Sequence, residues 1–212
     1  MIRPYEIRQC SETSCYFRFP VAVGDPAGAS CPHCGQPTIL AATPNDHVNQ
    51  RLPQVLPRFR NLELLLDNIR SIHNVGTIIR TADGAGVKRL HLGGITASPT
   101  HPKLAKTALG AETSLSWAHH HNSVQAVTQL KAEGFEIWAL ETTSKGENLF
   151  GAEHDDREER PILLVIGNEK VGVDPDILTI ADRTFALPMN GIKTSLNVAV
   201  AFGIAIYQIQ FS

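Results

Sequence analysis

Two stretches of this 212-residue chain combine residue types and spacings that could do chemistry. Near the C-terminus, Leu187-Pro188-Met189-Asn190-Gly191-Ile192-Lys193-Thr194-Ser195-Leu196-Asn197 is a polar loop that runs straight into the uncharged apolar run Val198–Tyr207. Ser195 and Asn197 are thereby delivered to the edge of a buried element, where small hydrogen-bonding groups can hold a ligand. The same two residues would also serve as caps, because Ser and Asn oxygens satisfy the free N–H groups of a helix's first turn. Near the N-terminus, Cys10-x4-Cys15 is followed by Cys31-Pro32-His33-Cys34-Gly35, the C-x-x-C-G form of a zinc knuckle. A tight turn there lets two thiolates face one metal, and Cys10, Cys15, Cys31 and Cys34 complete a tetrahedral zinc site in which His33 could replace one ligand. Two disulfides are the alternative, at odds with a reducing cytoplasm; a redox Cys31–Cys34 pair lacks the strand that precedes it in thioredoxin-like units.

Further candidates lie between these stretches. Asn74-Val75-Gly76-Thr77-Ile78-Ile79-Arg80-Thr81-Ala82 sets an amide and a guanidinium around the first turns of a helix, where a capping asparagine and a surface arginine are the plain structural reading. Ile166-Gly167-Asn168-Glu169-Lys170-Val171-Gly172 ends a strand with a glycine that permits close approach of a ligand, then a carboxylate. Thr142 stands at the C-terminal edge of another strand, where open α/β sheets place ligands. Lys103 and Lys106, and Arg51, Arg58 and Arg60, could touch phosphate; a solvated helix face and a solvated linker account for them equally simply. The triplet His119-His120-His121 invites a metal, but adjacent residues point different ways on regular structure, so a polar cluster at a strand end is the better reading. The charge run 154–160 reads as a solvated loop.

The elements that must position these groups follow from period and punctuation. Apolar runs at 62–66, 88–93, 135–140, 161–166 and 184–187 suit buried strands. They alternate with helical patterns from Asn74 to the glycines Gly84 and Gly86, near 102–108, at 124–133 and at 174–181. The final run is ambiguous: large residues alternate with Ala199, Ala201, Gly203 and Ala205 as in a strand, while its length suits a helix. As a helix it would set Ala199 and Gly203 one turn apart, a stripe for close packing by a second copy or by the chain itself. Residues 1–40 read as a zinc-ribbon-like module, too small to fold without a staple. Pro-rich residues 41–60 read as a linker and 61–212 as one α/β domain.

Composition narrows the function classes. A hydrophobic fraction of 42% with 19% charged residues is that of an ordinary globular chain. The start has no apolar signal-peptide core and the longest apolar run is too short to span a bilayer, so a cytoplasmic protein with no membrane contact is expected. Net charge is −2, but residues 1–110 carry 12 Lys+Arg against 7 Asp+Glu and residues 111–212 carry 7 against 14. RNA contact would therefore favour the first half. No Gly-x-Gly-x-x-Gly follows a strand and no P-loop exists, which argues against a nucleotide-binding oxidoreductase.

Taken together, Asn74 to Ala82, Gly167 to Gly172 and Pro188 to Ala201 resemble, in order and spacing, the three signatures of the SpoU (TrmH-type) RNA ribose methyltransferases of the SPOUT superfamily. Leu109-Gly110-Ala111-Glu112 and Ser116-Trp117 are similar to that family too. One departure is Ile72, where the family often has proline two residues before the asparagine. The resemblance implies an open, mostly parallel sheet with helices on both faces and a C-terminal trefoil knot, in a homodimer. It also implies S-adenosylmethionine-dependent methylation of a ribose 2'-hydroxyl in tRNA or rRNA. By the same likeness Arg80, Asn74, Glu169, Ser195 and Asn197 are the catalytic candidates. Thr142, Ile166, Gly167, Leu187, Met189 and Leu196 are the cofactor-binding ones. The likeness does not reach the cysteine module. A non-catalytic RNA-binding protein with a degenerate site is the alternative, against which the intact polar set argues; a zinc-ribbon DNA-binding regulator would explain only residues 1–40, and no DNA partner is expected.

Overall fold

The computed structural model describes residues 4–44, 55–59, 61–143, 146–152 and 160–212. They form two compact units, 1–54 and 55–212.

The first unit is an antiparallel sheet of β1 (Tyr5–Cys10), β2 (Arg18–Ala22) and β3 (Thr38–Ala42), with β1 central. A bulge between Ile7 and Arg8 interrupts the β1–β3 register. Arg8 spans the irregularity, donating from Nε to Thr38 Oγ1 at 3.1 Å and from Nη2 to the Thr38 carbonyl at 3.0 Å. Among the described residues the buried apolar ones here are Cys10, Val21 and Cys31, too few for a hydrophobic core to hold the unit alone. Two strands depart from the sequence reading. Tyr5–Cys10 carries no strand pattern, and the strand that pairs with β1 runs to Ala42, two residues into the stretch read as linker. Backbone pairing carries these strands, because the side chains on one sheet face stay exposed and leave little pattern.

The second unit is a seven-stranded parallel sheet in the order β6-β5-β4-β9-β7-β10-β8. In chain order its elements are β4 (Leu62–Asp67), α1 (Ile72–Gly84), β5 (Arg89–Gly93), α2 (Ala105–Ala108), β6 (Ser116–His120), α3 (Ser123–Ala132) and β7 (Glu136–Leu140). Then come β8 (Glu147–Asn148), β9 (Ile162–Ile166), α4 (Pro175–Ile180), β10 (Arg183–Ala186) and α5 (Val198–Phe211). Alternation along the central strands sends Leu64, Leu66, Leu164 and Ile166 toward α1 and α5, and Leu65, Leu163 and Val165 toward α3 and α4. Helices thus cover both faces, with β9 inserted between β4 and β7.

Helix α1 follows from Val75, Ile78, Ile79 and Ala82 on one face, Ser71 as N-cap and a stop at Ala85–Gly86, where Gly86 has φ +75°. The last run is a helix despite its alternation: Asn197 caps it and fourteen residues are too many for a strand of this sheet. Ala199 is buried, and a Cβ on Gly203 would meet Thr81 of α1 at 3.9 Å, so the small-residue stripe serves packing within the chain. Val200, Ile204, Tyr207 and Phe211 face outward and stay exposed. Arg58, read as a linker residue, is instead tied to this helix: its N–H donates to the Gln210 carbonyl at 2.9 Å and its Nη1 to the Ser212 carbonyl at 3.0 Å. Buried Gln210 completes the strap by accepting from Phe59 N at 2.9 Å and donating to the Phe59 carbonyl at 3.2 Å. Arg51, Arg60 and all but Arg160 of the 154–160 run lie outside the described residues. No helix among the described residues is long and apolar enough to cross a membrane.

Candidate active site

A cavity of about 900 Å³ opens at the C-terminal ends of β4, β7, β9 and β10, under the loop that leads into α5. Parallel sheets place ligands at this edge, where strand order reverses and loops diverge. Ten of the residues singled out from sequence line it: Asn74, Glu169, Ser195 and Asn197, with Thr142, Ile166, Gly167, Leu187, Met189 and Leu196. Arg80 does not; it is exposed on α1, nearly two turns beyond Asn74 and on a different face.

The polar groups form one directed chain. Glu169 accepts from three donors: Arg70 N at 2.9 Å on Oε2, and Ser71 N at 3.0 Å and Asn74 Nδ2 at 2.9 Å on Oε1. Partial burial by itself raises the Glu169 pKa, but these N–H groups outweigh it and hold the carboxyl below its ordinary value of 4.5. A carboxylate only accepts, so Asn74 must turn its amide nitrogen to Glu169 and its oxygen to Asn197, whose Nδ2 donates at 3.1 Å. Asn197 Oδ1 then caps α5, accepting from Ala199 N at 2.9 Å and Val200 N at 3.4 Å. The capping role weighed from sequence is therefore real for Asn197, and it coexists with a place in the cavity. Asn74 is not the cap of α1; Ser71 is. Ser195 makes no hydrogen bond among the described residues, so its hydroxyl is open to a ligand.

The backbone around the cavity is tightly fitted. A Cβ on Gly167 would lie 2.1 Å from the Gly172 carbonyl carbon and from Val173 N, so only glycine fits there. Asn168 Nδ2 donates to the Asn68 carbonyl at 2.6 Å and Asp174 N to Asp67 at 3.1 Å, locking the β9 loop onto the end of β4.

Residues 61–207 match the model of the SpoU rRNA Methylase family. The chain belongs to the SpoU methylase family. The tRNA (guanosine(18)-2'-O)-methyltransferase of Aquifex aeolicus is a SpoU relative 35% identical over 166 residues, 76% of this chain and 74% of that one. The 23S rRNA (guanosine(2553)-2'-O)-methyltransferase RlmP of Bacillus subtilis is 33% identical over 148 residues, 69% of this chain and 57% of that protein. Among solved SpoU-like folds, the AdoMet-bound rRNA methyltransferase from Sinorhizobium meliloti superposes with a TM-score of 0.65 at 26% identity, over 73% of this chain and 57% of that one.

Within this SpoU domain, sequence reasoning missed three cavity-lining groups. Arg70 and Lys170 are exposed cations at the cavity, and Glu141 is a carboxylate on the loop after β7. None sits in a periodic pattern; the signals available were position alone, Arg70 four residues before Asn74, Lys170 beside Glu169 and Glu141 beside Thr142. The histidine triplet contributes to a buried ladder elsewhere: His120 Nε2 lies 2.9 Å from His91 Nδ1, and His91 Nε2 lies 2.7 Å from Glu63 Oε2. Burial first, then the neighbouring His91, His119 and Arg89, lowers the His120 pKa below 6.5.

Outside the SpoU match, the four cysteines converge. Their sulfurs all lie within 4.8 Å of one another, with Cys10–Cys34 at 3.4 Å and Cys15–Cys31 at 3.9 Å. Tetrahedral zinc with bonds of about 2.3 Å would separate its sulfurs by about 3.8 Å, so the set is the right size for one ion. All four are free thiols. His33 Nδ1 is 3.5 Å from Cys15 Sγ, beside the cluster. Gly35 (φ +75°) and Tyr16 (φ +50°) each follow the second cysteine of a pair in left-handed conformation, which turns the chain back at both knuckles. Burial pushes the Cys10 thiol up to about 12; at Cys31 burial also raises the pKa, but N–H donors from Cys34 and His33 bring it down to about 7.

Proposed function

We propose that this chain transfers a methyl group from S-adenosylmethionine to a ribose 2'-hydroxyl of tRNA or rRNA. The observation that supports it most is the Asn197–Asn74–Glu169 chain at the mouth of a cavity lined by Gly167, Met189 and Leu196, in a member of the SpoU family. Relatives named for 2'-O-methylation of tRNA and of rRNA place both substrate classes in view. S-adenosylmethionine, when bound, supplies an electrophilic methyl group; Thr142, Ile166, Gly167, Leu187, Met189 and Leu196 are the residues that would hold it.

The chain's own groups do the rest. A ribose hydroxyl keeps its proton tightly, so the site must orient it and stabilise negative charge as the proton leaves. The Ser195 hydroxyl and the second N–H groups of Asn197 Nδ2 and Asn74 Nδ2 are donors available for that purpose, because each amide nitrogen commits only one N–H, to Asn74 Oδ1 and to Glu169 respectively. A guanidinium is a poor base, so Arg80 acts as a clamp on phosphate and a stabiliser of the oxyanion. Since Arg80 lies outside the cavity of its own chain, the reading includes a homodimer. The exposed stripe Val200, Ile204, Tyr207 and Phe211 is the docking face, and a second copy brings its Arg80 to the cavity.

The cysteine set binds one structural zinc, whose binding energy folds residues 1–40. The family likeness extends the reading to a trefoil knot, which the chain trace of a crystal structure would show or refute, and to a cytoplasmic location. Lys103 and Lys106 serve as phosphate contacts.

The test is transfer of tritiated methyl groups to total tRNA and, separately, to rRNA, with nuclease mapping of the labelled ribose. Label in one pool supports the reaction and names the substrate class. No label together with no cofactor binding in calorimetry overturns it in favour of an RNA-binding protein. Mixing Arg80→Ala with Asn197→Ala protein should restore activity lost by each alone; absence of rescue in proven mixed dimers refutes the shared site.

A further inference from the structure

We infer that Glu141 is a positioning residue for the cofactor, clamping the loop after β7 to the loop after β9; this rests on the reading of the cavity as the S-adenosylmethionine site. The main chain at Glu141 is itself anchored, its N–H donating to the Phe185 carbonyl of β10 at 2.9 Å. From that base the carboxylate reaches two ways. Oε1 accepts from Thr142 N at 2.9 Å, and Oε2 accepts from Val173 N, also at 2.9 Å. Glu141 therefore joins the segment that carries Thr142 to the one that carries Gly167, two of the segments assigned to the cofactor.

The fit at the second contact is close. Gly172 has φ +76°, and a Cβ there would lie 2.2 Å from Glu141 Oε2. A side chain at 172 is thus opposed by the backbone and by the carboxylate at once. Gly172 also closes the curl of the β9 loop, exchanging backbone hydrogen bonds with Asn168 at 3.0 and 2.9 Å. On its other side the same loop carries Glu169, which grips the start of α1 through Arg70 N, Ser71 N and Asn74 Nδ2. Three residues, 170–172, thus lie between two clamped points, Val173 held by Glu141 toward the cofactor loops and Glu169 holding the ribose-orienting amides. Removing the first clamp frees the Gly167–Val173 backbone to shift, and the cofactor loses a preformed surface.

Calorimetric titration of S-adenosylmethionine and of S-adenosylhomocysteine into the full chain tests this, with wild type, E141Q, E141A, G172A and the double variant E141A/G172A. Expected is about tenfold weaker binding of both ligands by E141A, which loses both accepted N–H groups with water recovering part of the loss, and a smaller loss for E141Q, whose amide oxygen retains one N–H. G172A should weaken binding similarly, and the double variant should lose less than the sum of the two, because both disturb the Glu141–Val173 contact. The rate constant at saturating cofactor should stay within about twofold, placing the effect in KM. Unchanged affinity with only a lowered Tm overturns the inference, as do additive losses in the double variant. Weakening confined to S-adenosylmethionine overturns it too, since that would mean direct contact with the sulfonium charge. A wild-type chain that binds neither ligand overturns the reading of the cavity itself.

Discussion

Replacing Glu169 by Gln should damage catalysis more than it damages the fold. The carboxylate accepts three hydrogen bonds within 2.9–3.0 Å, two on Oε1 and one on Oε2. A Gln can present its amide oxygen to Ser71 N and Asn74 Nδ2 and must then turn its NH₂ group toward Arg70 N, donor against donor. One bond is lost and two are reduced from charge-assisted to neutral, each change being worth about 1 to 2 kcal/mol. The residue is partly solvated, so water recovers a large share and the net loss is about 1 to 2 kcal/mol. In a unit of this size that lowers Tm by roughly 2 to 8 °C. The kinetic consequence is larger, because the bond to Asn74 also sets its orientation toward Asn197: kcat should fall about 10- to 100-fold, at 1.36 kcal/mol per tenfold. The assay is steady-state methyl transfer at saturating RNA beside thermal melting of the same protein. Since the folded-state pKa of Glu169 is depressed, its contribution is present above the ordinary value of 4.5 and is lost as pH falls through the lowered one. The Tm gap between wild type and E169Q should accordingly close on acidification below 4.5. A variant with the lowered Tm but wild-type kcat would refute the claim that Glu169 acts through Asn74.

Further outcomes follow from the same geometry. Arg80→Ala should cost about 10² to 10³ in kcat while calorimetry finds cofactor affinity within about twofold of wild type; lost cofactor binding would refute the clamp role. Metal analysis should find about one zinc per chain, and Cys31→Ser should unfold the cysteine unit while the 55–212 unit melts as before; a metal-free wild-type protein with an intact first unit would refute the zinc assignment. The folded-state pKa of His120 is lowered, so wild-type stability should fall as pH drops from 6.5 through that lowered value, whereas His120→Gln should flatten Tm against pH in that window; equal slopes would refute the role of His120.

What could be read from the residues themselves was the local part. The strands at 62–66, 135–140 and 161–166 are apolar runs, and α1 has a clean helical period, so pattern alone found them. Most of the cavity set came from three signature segments and their borders, and Thr142 from its place at a strand's end; these segments meet in space because they follow the ends of parallel strands or lead into a helix. The rest depends on contacts that no local pattern encodes. Glu141 is one glutamate after a strand until Val173, 32 residues on, donates to it. The Glu63–His91–His120 ladder crosses three neighbouring strands, and Arg58 finds its partners at the other end of the domain. The alternation in Val198–Phe211 misleads because the helix is apolar around most of its circumference, partly against α1 and partly on its open side, so period carries no information there.

The direction of the hydrogen bonds from Glu169 to the cap of α5 has a consequence for which substitutions this site tolerates. Because an acceptor-only group stands at one end and helix N–H donors at the other, the amides between them cannot be reversed or replaced by look-alikes. Asn74→Asp has almost the same shape as the native residue, yet it would set a second carboxylate 2.9 Å from Glu169 in place of a donor. Repulsion would force one of the pair to take up a proton near neutral pH. Asn74→Ala, which changes shape far more, leaves no such conflict. The isostere should therefore be the less active and the more pH-sensitive of the two, and side-chain polarity, not size, is what selection must preserve at position 74.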